Sequence, residues 1–146
     1  PGMIEANYED VLEWARTTPA SGGGRVIDQE WVRIGLARVR AGIEYLTLLN
    51  WKVAATEAAG ESVNPADASS IKVFGTEFFL DAYQILMEIV GQSSALTTGS
   101  PAAALASRLD RGFQGSTILT FGGGVNGIQR DLIAMFGLAM PRTPRM

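Results

Sequence analysis

The chain has 146 residues, of which 47% are hydrophobic and 18% charged, and it carries a formal net charge of −3. That is enough chain to bury one core and too much apolar content for disorder, and the acidic balance gives no electrostatic case for nucleic acid. Histidine and cysteine are both absent, which removes Ser-His-Asp, Cys-His and thiolate chemistry, most transition-metal sites and any disulfide framework.

The apolar runs are interrupted by charged or polar residues, so no membrane span is expected. No signal-peptide pattern is visible, and a cytoplasmic location is the expectation. Pro1-Gly2 before Met3 reads either as the remnant of a tag or as the edge of a piece of a longer protein.

Residues 3–16 place Ile4, Tyr8, Val11, Leu12 and Ala15 at helical spacing, and "TTPASGGGRV" then breaks the pattern. Residues 28–60 read as one long helix, with Asp28 as its N-cap. Val32, Leu36, Val39, Ile43, Leu46 and Val53 form its apolar stripe. A second line, Trp31, Ile34, Tyr45 and Leu49, is expected to widen the buried face. Arg33, Arg40 and Glu44 fall on the other side, with Arg40 and Glu44 an i,i+4 pair.

A third helix is expected over 65–90, capped by Asn64 with Pro65 at its first position. It is apolar on two faces, as in the middle of a bundle. "GQSSALTTGSP" reads as a loop. Pro101 opens a fourth helix, and "STIL" reads as its end, since a lone short strand has nothing to pair with. A last helix spans about Asn126 to Phe136, with Gly137 as its C′ glycine and Pro141 as a stop. The expected fold is all-α, an antiparallel up-down bundle of four to five helices. Trp31, Trp51, Phe74, Phe78 and Phe79 read as core or interface packing. Lys72 reads as a solvated or interface group.

Residues 121–127, "FGGGVNG", match G-x-G-x-x-G literally. A dinucleotide fold needs a strand on each side of the helix and an acidic residue about 20 positions further on. Only 19 residues follow Gly127, and none reads as a strand. The P-loop Gly-Lys-Ser/Thr is missing as well. A tight helix–helix turn needing positive φ is one reading of Gly122–Gly124. A glycine turn that lets a phosphate approach is the other.

The run "GGGVNGIQRDLIAMFGLAMPR" resembles the closing signature of acyl-CoA dehydrogenases, a pattern like [EG]-G-T-S-E/Q-I-Q-R-x-x-I-A followed by G-L-x-x-P-R. Ile128, Gln129, Arg130, Ile133 and Ala134 match in register, as do Gly137, Leu138, Pro141 and Arg142. Upstream, "SSIKVFGTEFFLDAYQILMEIVG" is similar to the family's helix carrying A-K-x-F-A-x-E and ending in Q-x-x-G-G. The resemblance covers residues 1–146 as the family's C-terminal helical domain. The N-terminal helical and middle β domains have no counterpart.

The resemblance implies FAD-dependent α,β-dehydrogenation of an acyl-CoA thioester, with the cofactor carrying the hard chemistry. It implies that this domain supplies contacts for a homo- or hetero-oligomer and part of the FAD adenosine and pyrophosphate site, partly across the interface. The cofactor-contact positions it transfers are Arg16, Glu88, Gly91, Gln92, Gly123, Gly124, Val125 and Gly127. Several depart from the family. The frequent catalytic glutamate falls on Gly123, so no catalytic residue is assigned. Val125 replaces a threonine and Gly127 a Glu or Gln. Asn126 follows Val125 and can still cap the last helix.

Glu88 stands where the family has glutamine, and a carboxylate beside a pyrophosphate is repulsive. It reads as a solvated or interface carboxylate rather than a catalytic base. Arg16 reads either as a phosphate contact or as a helix-end charge on the last carbonyls. The family includes heteromeric bacterial enzymes, some acting on steroid side chains, in which one subunit type lacks catalytic residues. The pattern here resembles such a subunit, not catalytically complete alone. The alternative is a cofactor-free helical assembly module or a non-catalytic partner subunit.

Overall fold

The structure, a computed structural model, describes residues 2–91 and 99–141. Helix α1 spans Gly2–Thr17, α2 Glu30–Ala58, α3 Pro65–Gly91, α4 Pro101–Leu119 and α5 Asn126–Leu132. A 3-10 turn, Val26–Asp28, precedes α2, and a π-helical turn, Ile133–Gly137, continues α5. Among the described residues no strand forms, and only an isolated bridge pairs Pro19 with Arg25. The expected all-α class is therefore found, with α4 running through "STIL" as the sequence reading has it.

The core follows the first apolar stripe. Val32, Leu36, Val39, Ile43 and Leu46 of α2 are buried. Val32, Leu36, Val39 and Ile43 meet Ile4, Val11 and Ala15 of α1 and Ala82, Tyr83, Leu86 and Ile89 of α3 in one cluster, to which Leu105 and Leu109 of α4 belong. Two glycines set how closely the helices approach. A Cβ on Gly42 of α2 would stand 2.1 Å from the Phe78 ring, and one on Gly112 of α4 would stand 2.5 Å from the Tyr83 ring. Both rings would have to move, so each aromatic uses the space of the missing side chain.

Helix directions can be read from the contacts. Gly42 lies over Phe78 and Gly75 over Leu46, so α2 runs antiparallel to α3. Gly112 meets Tyr83, and the Leu119 carbonyl accepts from Lys72 Nζ at 2.8 Å, so α4 does too. The first four helices thus alternate up and down. The α5 segment does not reverse again. Its Asn126 sits at Thr76 and its continuation at Phe136 reaches Asn64, so it descends along α3 in the same sense as α4.

Caps explain several boundaries. Asn64 Oδ1 accepts from the Ala66 N–H at 2.9 Å, as expected for the start of α3. Ser100 Oγ accepts from Ala103 N at 3.2 Å to start α4. Asp28 is not the cap of α2. Its carboxylate accepts from the Arg25 N–H at 2.8 Å and closes the 3-10 turn, and α2 starts two residues later after an extended Gln29. Gly137 is not a left-handed C′ residue either. The left-handed position is Ala139, with φ of 51°, because the π turn adds a residue to the last coil. Gly137 matters for clearance instead, since a Cβ there would meet the Ala66 Cβ at 3.1 Å.

The second apolar line of α2 is not buried. Trp31, Ile34 and Tyr45 are 41%, 54% and 51% exposed, and only Leu49 is half-buried. Trp51, 67% exposed, is likewise no core residue.

Candidate functional site

The transferred positions fall into two groups. Gly123, Gly124, Val125 and Gly127 form the turn from α4 into α5. Arg16 lies in the last turn of α1, and Glu88 and Gly91 lie near the end of α3. The Gly-rich turn stands beside Lys72–Glu77 of α3. Twelve residues separate Thr76 from Glu88, about 18 Å of helix at about 1.5 Å per residue. Asp10 pairs with Arg108 while Met3 and Ile4 share a cavity with Phe79 and Leu119, so α1 runs antiparallel to α4 and parallel to α3, with Asn7 Nδ2 donating to the Tyr83 oxygen at 3.2 Å and Arg16 carried toward the Glu88 end. Gln92 and Arg142 lie outside the described residues.

The turn is built on backbone. Gly122 N–H donates to the Ile118 carbonyl at 2.8 Å, closing α4, and Asn126 N–H donates to Thr120 O at 3.1 Å, closing the loop. Gly123 and Gly124 have φ of 69° and 107°. The φ of Gly124 calls for glycine, and a Cβ there would also stand 2.6 Å from Gln129 Nε2, the movable end of a flexible side chain. Gly123 differs. A Cβ on it would meet nothing within 4 Å, so the position faces open space with bare backbone. Gly127 and Gly91 are open in the same sense.

A polar network holds the turn. Asn126 does not cap α5; it is buried, and its side chain crosses to α3. Its Oδ1 accepts from Lys72 Nζ at 2.9 Å, and its Nδ2 donates to Thr76 Oγ1 at 3.0 Å and Glu77 Oε1 at 3.1 Å. Arg130, one helical turn on, brings Nη2 within 2.7 and 2.8 Å of the two Glu77 oxygens. Lys72 is therefore not a merely solvated or interface group. It ties the end of α4 and the start of α5 to α3 with one ammonium. Sequence reasoning missed this network. The available signal was Lys72, Thr76 and Glu77 at i, i+4 and i+5 on one helix.

The other end has no such wiring. Glu88 and Gly91 are exposed. Arg16 is exposed and makes no hydrogen bond or ion pair among the described residues. In the last turn of α1 the Glu13 carbonyl accepts from the Thr17 hydroxyl and the Trp14 carbonyl from the Thr18 N–H, both at 2.9 Å, and neither takes Arg16.

The Tyr8 phenol is pushed up by burial and secondarily by Glu9, which keeps it protonated. A cavity of about 260 Å³ opens between α1, α3 and α4. Met3, Ile4, Phe79 and Leu119 make its wall apolar, and Arg111 is its charged residue. It offers room without a reacting group. Among the described residues no cluster of three metal-ligand side chains occurs, and no helix is long and apolar enough to cross a membrane.

Comparison with known proteins bears on these arrangements. A family model described as acyl-CoA dehydrogenase, C-terminal domain, matches residues 1–138. The chain is 46% identical to acyl-CoA dehydrogenase FadE26 of Mycobacterium tuberculosis (strain ATCC 25618 / H37Rv) over 147 residues, covering 99% of this chain and 37% of the relative. Among solved structures it is similar to one chain of the ChsE4-ChsE5 complex from Mycobacterium tuberculosis, with TM-score 0.84 and 48% identity over 96% of this chain and 36% of that one. It is also similar to a chain of the Tcur3481-Tcur3483 steroid ACAD, with TM-score 0.81 and 39% identity over 97% of this chain and 35% of that one. The chain thus spans little more than a third of the length of these relatives.

Proposed function

The chain belongs to the acyl-CoA dehydrogenase family as its C-terminal helical domain, and from that premise we propose that it supplies subunit contacts and part of the FAD adenosine and pyrophosphate site of a hetero-oligomeric enzyme. The observation that carries this reading is the separation of the two residue groups. About 18 Å of α3 lies between the glycine turn and Glu88. One chain cannot bring both groups to the same pyrophosphate, whereas two chains can each lend one end.

The glycine turn fits a cofactor approach. Gly123 and Gly127 present backbone to open space, and no side chain of their own blocks a flat or anionic group. The Lys72–Asn126–Glu77 network would hold that backbone still, so that little ordering remains on binding. The α3 end fits less well, because the Glu88 carboxylate stands beside Gly91 and opposes a phosphate. FAD, when bound, supplies the hydride acceptor for α,β-dehydrogenation. The residues here bind, position and exclude water. The proton of the substrate α-carbon has no acceptor at Gly123, so the base belongs to another segment or subunit, and the chain is not catalytically complete alone. The steroid relative motivates a bulky acyl-CoA as the substrate class.

The test is to purify the full-length protein alone and with its partner subunit. The complex should show a flavin absorption band and release FAD on denaturation. The protein alone should not turn over acyl-CoA. Stoichiometric FAD with turnover in the isolated protein would sink the incompleteness, and a flavin-free, folded complex would sink the cofactor role.

A further inference from the structure

The cavity of about 260 Å³ between α1, α3 and α4 is larger than close packing leaves by default. Protein interiors hold few voids bigger than one water. Two glycines of α4, three residues apart, line it, and they differ. Gly112 is required by packing, because the Tyr83 ring takes the place of its side chain. A Cβ on Gly115 would meet nothing within 4 Å. Glycine inside a helix is unfavourable beside alanine, and among the described residues no contact calls for one at Gly115. Its missing side chain leaves room in the cavity.

Two donors that line this space are unspent. Tyr83 is 2% exposed, and its hydroxyl accepts from Asn7 Nδ2 at 3.2 Å while donating to no acceptor among the described residues. Arg111 donates from Nη1 to Ser107 Oγ at 2.9 Å and pairs with no carboxylate among the described residues. Arg108, the other arginine of α4, does have one in Asp10. Ser116 already donates to the Gly112 carbonyl at 2.8 Å. Among the described residues no carboxylate lines the cavity. Two free donors, one a cation, call for a group that only accepts, and an ionised carboxylate is such a group. The apolar wall of Met3, Ile4, Phe79 and Leu119 calls for hydrocarbon. A cavity of about 150 Å³ holds one benzene, so this one holds about ten non-hydrogen atoms.

We propose that the cavity binds a free medium-chain monocarboxylate, its head on the Arg111 guanidinium and its chain against Phe79 and Leu119. The site takes an acid in preference to a thioester. A thioester carbonyl is neutral and gives Arg111 no ion pair.

Saturation-transfer NMR on the full-length protein, with octanoate as the probe, tests this. The octanoate signal should saturate with a half-point at or below about 1 mM. Gly115→Leu puts a side chain into the cavity without disturbing a contact. Circular dichroism should show that variant as helical as the unchanged protein, and its saturable binding should be gone. Arg111→Gln should raise the half-point about fivefold, and Arg111→Lys should restore most of that loss. Octanoyl-CoA at saturation should leave the octanoate signal in place. The proposal is overturned by no saturable binding, by binding unaltered in the folded Gly115→Leu variant, by a half-point that Arg111→Gln does not move, or by full displacement with octanoyl-CoA. None of these readouts involves flavin, so such a result leaves the test of the cofactor role standing.

Discussion

At its Lys72–Glu77 end, α3 meets α5 through the side chains of Lys72, Thr76, Glu77, Asn126 and Arg130, joined by hydrogen bonds and one ion pair. At its Glu88–Gly91 end it meets its neighbours through Leu86, Ile89 and Val90, all fully buried, while the Glu88 carboxylate faces water. Apolar packing holds a helix in place but tolerates small rotations. Hydrogen-bonded side chains hold it at one angle, because a buried polar group that loses its partner costs free energy. The end that is wired is also the end that carries left-handed glycines and bare backbone. The wired end is thus held at one orientation, and the opposite end is held by packing.

The contrast can be broken most strongly from the apolar side. Leu86→Ala should lower unfolding stability by about 2–5 kcal/mol, the range for a fully buried leucine that leaves a cavity. Thermal and urea unfolding would register it, and a loss below about 1 kcal/mol would show that this end is not held by packing. At the wired end, Asn126→Ala should cost less, about 1–3 kcal/mol, by stripping partners from the half-buried Lys72 and from Glu77. It should also weaken FAD retention in the assembled enzyme well beyond what Leu86→Ala does, since it frees the turn. Equal FAD loss in the two variants would erase the difference between the ends. The smallest effect is expected from Glu88→Gln. Being exposed, it should change stability by no more than about 0.5 kcal/mol, yet it should tighten FAD binding in the complex by removing a charge opposed to phosphate. Unchanged or weaker binding by titration would place Glu88 away from the cofactor.

Local patterns in the sequence were legible in proportion to how local their cause is. The buried stripe of α2 from Val32 to Leu46 is as the period implies, and Asn64 and Pro65 start α3 as their backbone chemistry implies. Asp28 and Asn126 are the counter-examples. Both are short polar residues just ahead of a helix, which is the cap pattern. Asp28 instead closes a 3-10 turn, and Asn126 is drawn across to α3, where Lys72, Thr76 and Glu77 offer more partners than its own helix does.

Periodicity and turn chemistry alone determined that the chain is helical and roughly where its helices lie, because those properties are settled within a turn or two of backbone. The resemblance at Ile128–Ala134 added the family. Tertiary structure decided which apolar stripe of α2 is covered and which is left outside, that Gly123 faces open space while Gly124 is closed by Gln129, and that the candidate residues divide between two ends of α3. Those depend on neighbours distant in sequence, and a helical period is the same whether its face meets a core, a partner or water.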